Sequence, residues 1–93
     1  MGKQLPIILR TPGLRLVEIG EDEDGAYLKF WCETELDEDH VVREVVMYMH
    51  ADQPIKWTYV YAIYDKETQT IATHRGRTGN PKRDRVIDVR GAG

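Results

Sequence analysis

The sequence predicts a mostly β protein: a small antiparallel sheet of about five to six strands with a basic arm at its C-terminus. One covering helix stays open as an alternative for a single segment. Three observations carry the prediction. Apolar and polar residues alternate with period two along residues 26–33, as a half-buried antiparallel strand requires. β-branched and aromatic residues crowd into residues 41–49 and 56–64. The stretches between them hold turn formers, Thr11-Pro12-Gly13 and Asp24-Gly25 among them.

Taken in order, Pro6 to Leu9 is a short apolar run stopped at Thr11-Pro12-Gly13. Leu14 to Ile19 reads as a strand, with Leu14, Leu16, Val17 and Ile19 supplying its apolar mass. Gly20 to Gly25 is a polar loop closing on Asp24-Gly25, a preferred hairpin pair. In the partner strand, Leu28, Phe30 and Cys32 point one way, while Tyr27, Lys29, Trp31 and Glu33 point the other. Val41 to Met49 has two readings. As a helix, capped by Asp37 or Asp39, it would line up Val41, Val42, Val45, Val46 and Met49. As a strand it would put Val41, Val45, Met47 and Met49 on one face with Arg43, and its β-branched content favours the strand. Ala51 to Ile55, holding Pro54, is expected to be a connection. Lys56 to Tyr64 is the clearest strand, with Trp57, Tyr59, Tyr61 and Ile63 on one face. A loop over residues 65–69 leads to a last strand, Thr70 to Arg75.

Beyond Gly76 the character changes. Residues 1–70 hold seven Lys/Arg and fourteen Asp/Glu, whereas residues 71–93 hold six and two. The expected division is a β domain over residues 1–75 and a basic arm over residues 76–93, with an edge strand at 86–89 built on Val86, Ile87 and Val89. The arm is expected to carry that strand outward and to set its cations against the acidic residues 21–24 or 33–39. At 93 residues, 41% hydrophobic and 31% charged, the chain is composed like one soluble globular domain. No apolar run approaches the roughly 20 residues of a membrane span, and the run before Pro6 is not expected to be a secretory leader. One cysteine, Cys32, allows no intrachain disulfide and no cysteine zinc cluster, so a reducing compartment is expected.

Gln4-Leu5-Pro6, Gly13-Leu14-Arg15-Leu16-Val17, Asp24-Gly25 and Leu28-Lys29-Phe30-Trp31 together resemble the start of a family of small bacteriophage and prophage proteins of unknown function. In that family a short strand leads to a Gly-apolar strand, a turn, and a strand with a late tryptophan. Arg43 to Met49, Gln53-Pro54-Ile55, Thr58-Tyr59-Val60 and Ile71-Ala72-Thr73-His74 are similar to its later landmarks. The resemblance covers roughly residues 4–75. Met49-His50-Ala51-Asp52 stands where the family carries a glycine-rich step, and the basic arm has no counterpart in it. The resemblance implies a phage origin and a small β-rich fold, and no activity.

The residues themselves argue against catalysis. There is no serine and hence no Gly-x-Ser-x-Gly elbow, and no phosphate-binding Gly-x-x-x-x-Gly-Lys loop. Cys32 alternates with core residues and neighbours Glu33 and Glu35, the wrong sign for a reactive thiolate. Setting Gly25 at position six of a calcium loop puts Gly20 at position one and Trp31 at position twelve, so that pattern fails. His40, His50 and His74 lack the spacing of a helical zinc site. No metal or cofactor is expected.

Two binding features remain. The aromatic residues Trp57, Tyr59 and Tyr61 form either the core face or, together with Trp31 on the other face, anchors for a partner. A small sheet that is apolar on both faces must cover both, so association with a host protein or with its own copies is expected, and no membrane. Arg75, Arg77, Lys82, Arg83 and Arg85 are candidates for nucleic-acid phosphates, although the arm offers no aromatic residue for base stacking. The expected function is that of a phage-type accessory protein in the host cytoplasm that acts by binding. The alternatives are a nucleic-acid-associated protein or a minor component of the virion.

Overall fold

A computed structural model of the chain describes residues 6–50 and 53–86. A 3-10 turn, Ile7–Arg10, precedes five strands: β1 (Arg15–Asp22), β2 (Gly25–Glu35), β3 (His40–His50), β4 (Gln53–Asp65) and β5 (Thr70–Gly76). They form one antiparallel sheet in the order β1-β2-β3-β4-β5. A meander follows directly from short connections, because a two- to five-residue loop can only return the chain alongside itself.

Aspartates shape the three fully described turns. Asp22 accepts a hydrogen bond from the Asp24 N–H (2.8 Å), Asp37 from the Asp39 and His40 N–H groups (2.8 and 2.9 Å), and Asp65 from the Glu67 N–H (2.9 Å). A short carboxylate that caps its own turn is the reason Asp favours such positions. Gly25 follows the first turn at φ +124°, a conformation that side-chain-bearing residues rarely adopt.

The ambiguous segment is strand β3. Several boundaries differ from the expectation. β1 runs on through Gly20 to Asp22, leaving only Glu23 and Asp24 as the turn. The short strand implied before Thr11 is instead the 3-10 turn. The connection expected over residues 51–55 is partly strand, since β4 begins at Gln53. Pro54 is tolerated because residues 54–56 fall in the register shift opposite Met49 and His50, and β5 pairs β4 only as far as Tyr59, so Pro54 has no ladder partner among the described residues.

Register assigns the faces. One row runs Ile19–Leu28–Met47–Tyr59–Gly76, the next Leu16–Phe30–Val45–Tyr61–His74, and both lie on the core face. The opposite face carries the row Glu18–Lys29–Val46–Val60–Arg75. Bulges adjust the pattern. The shift between Leu16 and Glu18 makes Val17 an extra residue. The shift between Val42 and Glu44 does the same for Arg43, so Val42 joins Val45 and Met47 in the core while Val41 turns to pair with Tyr64. The expectation that Val41 and Arg43 share the core face with Val45 is corrected by that bulge.

The second layer comes from two short segments. Ile8, on the 3-10 turn, and Val86 are both buried in the core. Residues 77–86 do not lead outward, as expected, but fold back over the core face. The Ile8 N–H donates to the Gly79 carbonyl (2.9 Å), and Gly79, at φ +72°, sits against Pro6 and Tyr59. The Asp84 carboxylate accepts hydrogen bonds from the Tyr61 hydroxyl (2.6 Å) and the Thr78 hydroxyl (2.9 Å). Burying Ile8 and Val86 contributes about 1.5–3 kcal/mol each. Exposed ion pairs contribute about 0–1 kcal/mol, so apolar contact dominates the docking. The edge strand expected over residues 86–89 lies, beyond Val86, outside the described residues.

Candidate binding surface

The aromatic residues divide between the faces. Tyr59 and Tyr61 stack with ring centroids 6.3 Å apart and belong to the covered core. Burial, reinforced by the hydrogen bond to Asp84, holds the Tyr61 phenol far above its usual range, so it remains a donor. Trp57 packs against the edge of the core opposite Met49. Trp31 lies on the other face, half-buried, with the Arg15 guanidinium 5.0 Å from its ring centroid. These four residues therefore do not form one surface, and Tyr59 and Tyr61 are already covered by the chain itself.

Among the described residues the covering layer stops short of the sheet's β1 edge. Along the first core row, exposure rises from 3% at Tyr59 and 5% at Met47 to 69% at Ile19, and Leu28 is intermediate. Along the second it rises from zero at Tyr61 and Val45 to 50% at Leu16. The β1–β2 half of the core face thus presents Leu16, Ile19 and Leu28 as an apolar surface continuous with the core, and Met49, beside Trp57 at the end of β3, is exposed on the same face. β1 is also an edge strand, so one side of its backbone has no described strand beside it. The sequence alone reads Leu16 and Ile19 only as apolar mass of a strand, without assigning them a face. The need to cover a small apolar sheet is legible in the sequence; which part of it stays exposed depends on how residues 77–86 fold back.

The opposite face is polar. Lys29 lies 3.1 Å from Glu18 and 3.6 Å from Glu44. The Tyr27 hydroxyl donates to Glu18 (2.9 Å) and the Tyr48 hydroxyl to Asp22 (2.8 Å), with the two rings 5.5 Å apart. The Tyr27 hydrogen bond, followed by Lys29, holds the Glu18 carboxyl below its usual range. Glu18 in turn, with Glu44, raises the Lys29 ammonium. A shallow depression of about 180 Å³ opens here. Its charged groups are engaged, Lys29 with Glu44 and Asp22 with the Tyr48 hydroxyl. Cys32 lies on the core face, where burial pushes its thiol up and away from the reactive thiolate.

The basic candidates sit at the far edge and on the arm. Arg75, on β5, comes within 3.9 Å of Asp24, a long contact between exposed groups. Arg77, Lys82, Arg83 and Arg85 are exposed on the docked arm, and none forms an ion pair with another described residue. His40 is held between carboxylates, Nδ1 2.9 Å from Asp37 and Nε2 3.4 Å from Asp65. Among the described residues no group of three His, Cys, Asp or Glu side chains is arranged to hold a metal ion. No described helix is long and apolar enough to cross a membrane. Compared with known proteins, the chain matches no family model, no curated protein and no solved structure.

Proposed function

We propose that the protein acts by binding another protein chain through the β1–β2 half of its core face, without catalysis. The observation that carries this reading is the loss of cover along two adjacent core rows, ending at Ile19 and Leu16 on an edge strand. An apolar surface continuous with a core and beside an open edge costs solubility unless something covers it. The resemblance over roughly residues 4–75 adds the setting: a phage accessory protein in the host cytoplasm, whose partner is a host protein or its own copies.

Affinity capture from a bacterial lysate tests the reading, using the native chain and the double variant Leu16→Asp, Ile19→Asp. Both side chains are exposed, so circular dichroism should report the same fold for both proteins. The native chain is expected to retain an identifiable partner, or further copies of itself, that the variant loses. A variant that folds and retains the same catch would defeat the proposal.

A second reading has its own observation. The exposed cations of the arm, Arg77, Lys82, Arg83 and Arg85, which form no ion pair among the described residues, suit the phosphates of a nucleic acid. Fluorescence anisotropy with DNA and RNA at low salt should then show binding that falls steeply as salt rises. No binding at low salt removes this reading.

A further inference from the structure

We infer that the occupant of the uncovered half is a second copy of this chain, related by a two-fold axis, an inference that rests on the reading above. The charges around the patch favour it. Residues 18–24, the free edge and its turn, carry five carboxylates and no cation. Residues 77–86, the docked arm, carry four cations and one carboxylate, and that carboxylate, Asp84, is engaged by Tyr61 and Thr78. Of the edge carboxylates, Glu18 and Asp22 lie on the opposite, polar face, engaged by Lys29, Tyr27 and Tyr48, which leaves Glu21 on the side of the patch. Glu21 pairs with Ala26 and so shares the side of Leu28 and Ile19, while the arm lies over Tyr59 and Tyr61.

Those positions are self-complementary. An axis running along the strands at the β1–β2 seam lays each uncovered patch on that of its copy, at the roughly 10 Å spacing of packed sheets. The same rotation carries the arm of one copy past the β1 edge of the other, in the layer its own β1–β2 half lacks. Arm cations then face Glu21 at the acidic edge, and the contact is made twice, as an isologous interface requires. Direct pairing of two β1 edges is the poorer arrangement when centred on Gly20, where antiparallel strands would bring Glu18 opposite Asp22 and Glu21 opposite Ile19. Like charges directly across a ladder destabilise it.

Sedimentation equilibrium of the full chain, with circular dichroism as the control for folding, decides the matter. The expected result is a dimer in low salt whose dissociation constant rises at least about tenfold at roughly 0.5 M salt, where exposed charges are screened. Ile19→Asp should halve the mass without changing the spectrum, and Met49→Lys provides the same test should the first variant misfold. A native chain that stays monomeric at high concentration overturns the inference. If that monomer still captures a lysate protein in an Ile19-dependent way, the binding reading stands with a different partner; if it captures nothing, both fall. A dimer that survives Ile19→Asp, or one indifferent to salt, also overturns the arrangement.

Discussion

Ile63 and Ile19 are the same side chain on the same face of the same sheet, and only one of them is inside the protein. Ile63, on β4, is buried beneath the covering layer, whereas Ile19, on β1, is 69% exposed. The difference lies in the cover and not in the strands. Five strands at about 4.8 Å spacing make a sheet roughly 19 Å wide. The described cover is one 3-10 turn and the folded-back residues 77–86; beneath it the core-face residues of β3 and β4 and Cys32 of β2 are buried, while Leu16 and Ile19 of β1 stay exposed. Solvent therefore meets residues chosen for a core, and that mismatch is the basis for reading this half as a binding surface.

The largest expected effect separates the two halves directly. Ile63→Ala should cost about 2–5 kcal/mol, the usual range for truncating a buried Ile. Ile19→Ala should fall within about 0.5 kcal/mol in dilute solution, as surface changes do. Urea unfolding of the two variants at low concentration measures both. Equal losses would erase the distinction.

A smaller effect tests what holds the cover in place. Asp84→Ala leaves the Tyr61 hydroxyl buried without its acceptor and should cost about 1–3 kcal/mol. Arg75→Ala removes only an exposed contact with Asp24 and should cost at most about 1 kcal/mol. The two losses, read from thermal unfolding, set the arm's inward carboxylate against an ordinary surface contact of β5.

The smallest effect is a pH dependence at the far end of the sheet, in the β2–β3 loop. The hydrogen bond to Asp37, with added charge from Asp65 and Asp39, raises His40 above its usual value. A raised histidine stabilises fully below its unfolded value near 6.5, and that stability is lost as pH climbs through the folded value. Asp37, lowered chiefly by the same hydrogen bond, contributes above the ordinary carboxylate range and loses its part as pH falls. The clamp should therefore be strongest in mildly acidic solution and, being partly exposed, worth less than about 1 kcal/mol. His40→Asn should flatten the dependence of the urea midpoint between about pH 6 and 8.

The hairpins were legible because their causes are local. Asp-Gly at 24–25, the alternation through Leu28, Phe30 and Cys32, and the β-branched run from Val41 each act within a few residues. Even the face shared by Trp57, Tyr59, Tyr61 and Ile63 could be read from period two. What could not be read were the facts decided at a distance. The bulges at Val17 and Arg43 come from how neighbouring strands pair, not from their own propensities. Pro54 looks like a breaker until the register shift around it is known. The arm folds inward because Asp84 meets Tyr61 and Gly79 meets Pro6, pairs separated by 23 and 73 residues. Whether an aromatic stripe is core or interface depends on that folding, so the sequence left both readings open.

Amide hydrogen exchange of the full chain, followed strand by strand over a wide concentration range, tests the contrast between the two halves most directly. The account predicts that β3 and β4 are strongly protected at every concentration. β1 should exchange quickly in dilute solution and gain protection as copies meet, while β3 and β4 change little. If β1 is as well protected as β3 in the dilute chain, the β1–β2 half is already covered and the account is wrong.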